Sequence, residues 1–153
     1  MWKPQPEEAE TMSNPRRKQP VRLTFPEGLV GYPEWKHFTL EESPDGVPVG
    51  LLQSREDAEV FFLVTRPELV CPSYAFGVPD SVRDLLGLSI DDEPIAMCIL
   101  VVRQNPLAIT ANLLGPIVYN PLTGLACQVV LDGSPYSSRH PVIVPEGVPA
   151  EGS

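Results

Sequence analysis

Apolar and polar residues alternate in short runs along this chain, and turn-forming residues separate the runs. Residues 21–25 (VRLTF) alternate apolar side chains with Arg and Thr, which is typical of a strand with one buried face. Residues 35–40 and 49–53 are predicted as the next two strands, because Gly, Pro and charged residues lie on either side of them. The pattern therefore predicts a series of short β-strands from residue 21 onward.

Two other runs are apolar on both faces of the predicted strand. Residues 60–64 (VFFLV) have no polar position, so we expect this strand to be covered on both sides. Residues 95–102 (IAMCILVV) form the longest apolar run, and their branched side chains favour a strand over a helix. We predict that residues 95–102 form the central strand of the sheet.

A different pattern occupies residues 67–87. Pro67, Pro72 and Pro79 remove backbone donors, so residues 67–70 and 74–78 are predicted as a broken pair of edge strands. Residues 80–86 predict one short helix, capped by Asp80 or Ser81 and ended by Gly87.

Residues 110–142 contain three short apolar pieces separated by turns. Residues 116–119 and 125–131 are predicted strands, and NPLTG at 120–124 is a predicted turn because Pro fixes φ while Asn and Gly tolerate positive φ. A second turn at 132–135 brings Tyr136, Arg139 and His140 to one place. With about nine short strands and one short helix, the chain is predicted to be all-β, a small antiparallel barrel-like domain.

The two ends of the chain are unlike the middle. Residues 1–20 are rich in proline and charge and offer almost nothing to bury, so we expect a disordered tail. Residues 144–153 contain Pro and Gly in the same way and are expected to be flexible. A single β domain is therefore predicted at residues 21–143.

The charge balance narrows the choice of partners. Eleven Lys and Arg oppose twenty Asp and Glu, which gives a formal net charge of −9. Because nucleic acids are bound by clustered basic residues, we expect no direct nucleic-acid partner. The excess of acidic residues is compatible with binding to a basic protein partner, or it serves solubility alone. The sequence has no apolar run of membrane-spanning length and no signal-peptide core, so we expect a cytoplasmic monomer without membrane contact.

Few residues suggest chemistry. Cys71, Cys98 and Cys127 lie in apolar surroundings without zinc-site spacing, so we expect small buried hydrophobic side chains in a reducing compartment. His140 lies close to Ser137 and Ser138, but the chain has no nucleophile-elbow motif. We therefore predict no enzymatic activity, no metal and no cofactor.

Two groups of residues are candidates for binding. Acidic loops could share a rim and steer a basic partner, or could form only a solvated surface. Tyr136, Arg139 and His140 are predicted as a structural clasp, with Arg139 opposite Asp132 and His140 hydrogen-bonded, or else as part of a binding surface. The acidic candidates are Glu41, Glu42, Asp45, Glu56, Asp57, Asp91, Asp92 and Glu93.

Three sequence elements also carry a resemblance to a known family. TFPEGL at residues 24–29, TANLLGPIVYN at 110–120 and YSSRHPV at 136–142 are similar to elements of the flagellar assembly factor FliW family. The resemblance implies a small β-barrel-like protein that binds flagellin and antagonises the translational regulator CsrA, which couples the flagellin level to its translation. Members usually have a strand before the first element, and none is evident in residues 1–20. If that strand is absent, residues 21–25 form a sheet edge unless a different start of the chain or a partner segment covers it.

Two alternative functions are left open, the first by the residues and the second by the resemblance. The first is a β-barrel module that encloses a small ligand near Tyr136, Arg139 and His140. The second is a flagellin chaperone without a role in translation.

Overall fold

Short strands make up most of the regular structure in a computed structural model of the chain, which describes residues 19–43 and 47–142. The predicted tail residues 1–18 and 144–153 therefore lie outside the described residues. The elements are β1 (Val21–Thr24), β2 (His37–Glu42), β3 (Gly50–Ser54), β4 (Phe61–Thr65), α1 (Pro67–Val70), α2 (Asp80–Leu86), β5 (Ile95–Arg103), β6 (Ala108–Ala111), β7 (Ile117–Tyr119), β8 (Ala126–Gln128) and β9 (His140–Pro141).

The first five strands form an antiparallel meander in chain order. β5 is the longest strand and pairs with three others, which confirms its predicted central position. On one side it pairs with β4, with Leu63 opposite Leu100. On the other side its second half pairs with β6 and its first half with β7, since Val101 is opposite Thr110 and Met97 is opposite Ile117.

The sheet curls until its two ends nearly meet. β7 pairs with β8, and Leu125, just before β8, forms a parallel bridge with Thr24 at the end of β1. The Thr24 N–H donates to the Gly124 carbonyl at 2.8 Å. β1, β2, β3, β4, β5, β7 and β8 thus form a nearly closed barrel, and β6 with β9 extends the sheet beyond it. Beyond that bridge, β1 lies at a sheet edge within the described residues.

Side chains fill the barrel from the inside. Phe25 and Phe38 meet edge to face with ring centroids 5.4 Å apart, and both are fully buried. Inward-facing residues of every barrel strand surround them, because alternate residues of a strand point to the same side. The interior cluster comprises Leu23, Phe25, Leu29, Phe38, Leu40, Leu52, Val64, Met97, Ile117, Tyr119 and Ala126.

Two smaller clusters cover parts of the outer surface. Leu86 and Leu88, from the end of α2 and the residues after it, pack on Val118 of β7 and Cys127 of β8. Cys98 of β5, Ala111 and Leu113 form the second cluster, against which Tyr74 and Tyr136 pack. These covers explain why β7 is buried on both faces.

The predicted edge pair after β4 is wrong in both halves. Residues 67–70 form the helix α1, and residues 74–78 form no regular element. Pro67 occupies the first turn, where a missing N–H costs nothing, and Glu68 favours the positive helix end. The described residues therefore contain two short helices instead of one.

The helix α2 occurs where it was predicted, with one difference. Gly87 ends it in the left-handed conformation with φ of 70°, and the Leu88 N–H returns to the Arg83 carbonyl. Pro79 stands at the N-cap position, and no side chain caps the helix there. The predicted caps Asp80 and Ser81 lie inside the first turn instead.

Two apolar strands are less buried than their composition predicted. Phe61 at the start of β4 is 56% exposed, so this strand is not covered on both sides. Val101 and Val102 are also exposed, because the β5–β6 hairpin extends past the barrel. The predicted strand at 125–131 is regular only over Ala126–Gln128, although the Val129 and Leu131 N–H groups still donate to the Pro116 and Leu114 carbonyls.

Candidate functional site

Tyr136 joins the last loop to the loop between the two helices. Its hydroxyl accepts from the Ala75 N–H at 2.9 Å and donates to the Ala75 carbonyl at 3.0 Å. Its ring lies 4.4 Å from that of Tyr74, whose hydroxyl donates to the Leu113 carbonyl. Burial, the largest cause, raises the Tyr74 pKa above its usual range, which keeps the Tyr74 hydroxyl a protonated donor at neutral pH. Tyr136 therefore acts as a clasp between backbone segments.

Arg139 and His140 do not join Tyr136 in a shared polar cluster. Arg139 is exposed, and its N–H donates to the Ser137 hydroxyl at 2.9 Å. Among the described residues its guanidinium has no ion-pair partner, so the predicted contact with Asp132 is absent there. His140 lies in β9, where its backbone pairs with Ala111, but within the described ranges no hydrogen bond holds its imidazole.

Four of the acidic candidates are divided between the two ends of the β2–β3 hairpin. Glu41 and Glu42 are the last residues of β2, opposite Leu51 and Gly50 at the start of β3. Glu56 and Asp57 lie in the turn that follows β3, next to the start of β2. Because β2 is six residues long, about 15–20 Å of strand separates the two acidic pairs. The acidic candidates therefore do not all lie on one rim of the barrel.

Several of these carboxylates organise their own loops. Glu56 Oε1 accepts from the N–H groups of Lys36 and His37 at 3.1 and 3.3 Å, and these two bonds lower the Glu56 pKa. Asp57 Oδ1 accepts from the Glu59 N–H at 3.0 Å. These contacts assign Glu56 and Asp57 a structural role in the β3–β4 turn, whatever they also bind.

The loop before β5 is fixed in the same manner. Asp92 Oδ2 accepts from both the N–H and the hydroxyl of Ser89 at 2.9 Å, which lowers the Asp92 pKa. The Arg83 guanidinium donates to the Ser89 and Asp92 carbonyls, so it is engaged within the loop. Asp91 and Glu93 remain exposed on either side. Asp45 lies outside the described residues.

The sequence elements that carry the family resemblance build the barrel closure. Asn112 Oδ1 accepts from the Gly115 N–H at 2.9 Å, and the turn that it forms buries Leu113 fully. Asn120 is 1% exposed, and its side-chain amide donates to the Leu86 carbonyl while its Oδ1 accepts from the Leu122 N–H. The predicted turn at 120–124 is thus confirmed, and it is tied to α2.

The residues that could bind a metal ion do not gather. Within the described ranges no three His, Cys, Asp or Glu side chains group as metal ligands. Cys98 and Cys127 are buried, as predicted, whereas Cys71 is half-buried. The longest helix in the described part of the chain has seven residues, so none there is long and apolar enough to span a membrane.

One apolar surface was not anticipated from the sequence. On the outer side of β3, β4, β5 and β6, alternate residues are apolar and face solvent. Phe61 and Val102 are 56% and 40% exposed, and their neighbours are half-buried. The VFFLV pattern of β4 was the available signal, since a strand that is apolar on both faces either is covered twice or exposes one apolar face. This outer apolar face consists of Leu51, Phe61, Leu63, Leu100, Val102 and Ile109.

Comparisons with known proteins agree on one family. A family model described as FliW protein matches residues 8–143, which includes part of the predicted N-terminal tail. The chain is 32% identical to a flagellar assembly factor FliW of Natranaerobius thermophilus over 134 residues, which cover 86% of this chain and 87% of that protein. It is 35% identical to a flagellar assembly factor FliW of Thermotoga neapolitana, over 77% of this chain and 80% of the relative.

A solved structure extends the likeness to three dimensions. The chain resembles a crystal structure of the flagellar assembly factor FliW with a TM-score of 0.73 and 29% sequence identity. The superposition covers 84% of this chain and 89% of that one. The nearly closed antiparallel barrel is therefore shared with a solved structure.

Proposed function

The chain belongs to the FliW family, and from this membership we propose that it is a flagellar assembly factor that binds flagellin and antagonises CsrA. The match over most of the chain, in sequence and in fold, is the observation that carries the proposal. Binding of flagellin would occupy the protein, and its release would free it to hold CsrA. The level of flagellin would then control its own translation.

The structure is compatible with a binding protein that has no enzymatic role. The barrel interior is filled with apolar side chains, and Tyr136 is engaged by the Ala75 backbone. These observations disfavour the alternative of a ligand enclosed near Tyr136, Arg139 and His140. The net charge of −9 supports association with a basic protein surface. We propose that this association takes place in the cytoplasm.

Calorimetric titration with purified flagellin and purified CsrA, each in separate runs, tests the proposal. We expect both proteins to bind at micromolar or lower concentration in low salt. A competition run follows, in which flagellin is added to the preformed complex with CsrA and should release CsrA. Binding of flagellin alone would support a chaperone without a translational role, and binding of neither protein would refute the proposed function.

A further inference from the structure

The outer apolar face is continuous across four adjacent strands. Leu51, Leu63 and Leu100 lie opposite one another on β3, β4 and β5. Two residues after Leu100 on β5, Val102 pairs with Ile109 of β6. When the register between β4 and β5 is continued by two residues, Phe61 of β4 lies beside Val102. The six side chains therefore form two parallel rows that run across the strands.

These side chains point away from the barrel interior. Their strand neighbours Leu52, Phe62, Val64 and Ile99 belong to the interior cluster or pack against it. Because successive residues of a strand face opposite sides, the two rows lie on the outside. Leu51, Phe61, Leu63, Val102 and Ile109 belong to none of the three clusters that the described residues form.

Within the described residues, the covering segments reach only part of this face. The residues after α1 and the loop around Tyr136 pack over Cys98 and Leu100, and Val142 joins this cluster beside Ile109. Leu51, Phe61 and Leu63 of β3 and β4 belong to no such cluster. Single exposed apolar residues are ordinary, whereas a continuous row across neighbouring strands marks an interaction surface. A sheet with an apolar outer face is normally completed by a second layer of structure, most simply a helix.

The dimensions of the outer apolar face match those of an amphipathic helix. Three strand spacings from β3 to β6 span about 14 Å, and two residues along a strand span about 7 Å. An amphipathic helix of about ten residues is about 15 Å long, and its apolar stripe is of similar width to the two rows. A partner strand would need free backbone groups, which paired strands in the middle of a sheet do not offer.

Charge at the border supports a basic partner. Glu41 stands opposite Leu51 on β2 and so continues the first row at its end. Glu68 lies in α1, which contacts β5, so a second carboxylate lies near the Leu100 end of the same row. Arg66 at the start of α1 and Arg55 after β3 are the nearby basic residues along the chain. Glu41 and Glu68 therefore supply carboxylates along the side of the face formed by Leu51 and Leu100.

We propose that the outer apolar face binds an amphipathic α-helix of a protein partner, with Lys or Arg residues of that helix next to Glu41 and Glu68. The inference rests on the proposed function for the identity of the partners to be tried, flagellin and CsrA. The geometry of the face itself is independent of that function.

Substitution of the exposed apolar residues tests the inference directly. Phe61→Ser and Val102→Ser should each weaken binding of flagellin or of CsrA at least tenfold in calorimetric titration. Leu122→Ser is the matched control, because Leu122 is 81% exposed on the 120–124 turn, away from the face, and its affinity should stay within twofold of the wild type. Circular dichroism and thermal unfolding verify that each variant keeps its fold.

A charge-reversal pair tests the orientation of the helix. Glu41→Lys should slow association and reduce its dependence on salt, whereas Glu93→Lys, an equal change of charge in the loop before β5, should have a smaller effect. Equal effects of the two reversals would contradict the predicted orientation.

The outcomes separate this inference from the proposed function. If the wild type binds a partner and Phe61→Ser and Val102→Ser bind it equally well, the docking surface is wrong and the function stands. If the wild type binds neither partner, both are overturned. If sedimentation shows a wild-type dimer that Phe61→Ser dissociates, the face joins two copies of this chain and the proposal is likewise overturned.

Discussion

The three thiols of this protein differ in their access to solvent. Cys98 is fully buried between β4 and the residues that cover β5, whereas Cys71 is half-buried after α1. Burial, with a smaller contribution from Glu68, raises the pKa of the Cys98 thiol to about 12. The thiolate is the reactive form of cysteine, so position in the fold determines which thiol reacts.

We predict that a disulfide reagent at pH 8 labels Cys71 first and leaves Cys98 unmodified until the protein unfolds. With a pKa of about 12, only about one Cys98 in 10⁴ is ionised at that pH. Time-resolved absorbance of the released thiol measures the phases. Cys71→Ser should remove the fast phase, and equal labelling rates for all three cysteines in the native protein would contradict the prediction.

The carboxylate of Glu56 predicts a dependence of stability on pH. Its pKa is lowered by the Lys36 and His37 N–H groups, so the ionised form is favoured in the folded state. The resulting stabilisation is present above the unfolded pKa, about 4.5, and is lost as the pH falls through the lower folded value.

We predict that Glu56→Gln lowers the melting temperature at pH 7 and that the difference from the wild type shrinks below about pH 4. The neutral amide accepts the two backbone N–H groups less strongly than a carboxylate does. Thermal unfolding followed by circular dichroism between pH 3 and 7 measures the effect. Glu59→Gln, an equal change of charge in the same loop, is the control, and a constant difference across the pH range would disprove the assignment.

At the scale of single elements, local pattern predicted most strands and the helix α2. β1 to β5 follow the alternation or continuous runs of apolar residues, and Gly87 ends α2 as expected. The helix α1 was not predicted, because one turn between Val64 and Cys71 has no periodicity of its own and its prolines also suit an edge strand. The regular part of β8 has only three residues, a limit set by its register with β7 that the apolar composition of 125–131 does not encode.

The predicted clasp at Tyr136 can be tested with a single substitution in its loop. Tyr136→Phe keeps the ring against Tyr74 and removes both hydrogen bonds to Ala75. We expect a loss of about 1–2 kcal/mol in the free energy of unfolding, since each hydrogen bond contributes about 1 kcal/mol. Chemical denaturation measures this loss.

Hydrogen exchange adds a local readout to that measurement. The Ala75 amide should exchange faster in Tyr136→Phe than in the wild type. Tyr32→Phe is the matched control, because Tyr32 is 48% exposed and stacks on Trp35. A loss of the same size in both variants would show that the clasp does not stabilise the loop.

At the scale of the whole molecule, the order of strands could not be predicted from local sequence patterns. β5 pairs with β4, β6 and β7, and the chain leaves its side over residues 113–116 before it returns as β7. This arrangement depends on the Asn112 turn and on contacts between residues far apart in sequence. The same limit applies to the candidate site. The acidic loops were identified from the sequence as a possible shared rim, but the division of Glu41 and Glu42 from Glu56 and Asp57 depends on strand register.

Closure of the barrel brings Gly124 close to β1, and a paired substitution tests whether this approach needs a glycine. Gly124 and Gly133 both have φ near +80°, at 82° and 81°, so alanine is strained by about 1–3 kcal/mol at either position. At Gly124 an added Cβ would lie 2.5 Å from the Arg22 carbonyl oxygen, whereas at Gly133 it meets no atom within 4 Å. We therefore predict that Gly124→Ala destabilises the protein by about 1–3 kcal/mol more than Gly133→Ala, measured by chemical denaturation. Equal losses in the free energy of unfolding would mean that β1 and the 120–124 turn can move apart at no energetic cost. The barrel would then close without this tight contact.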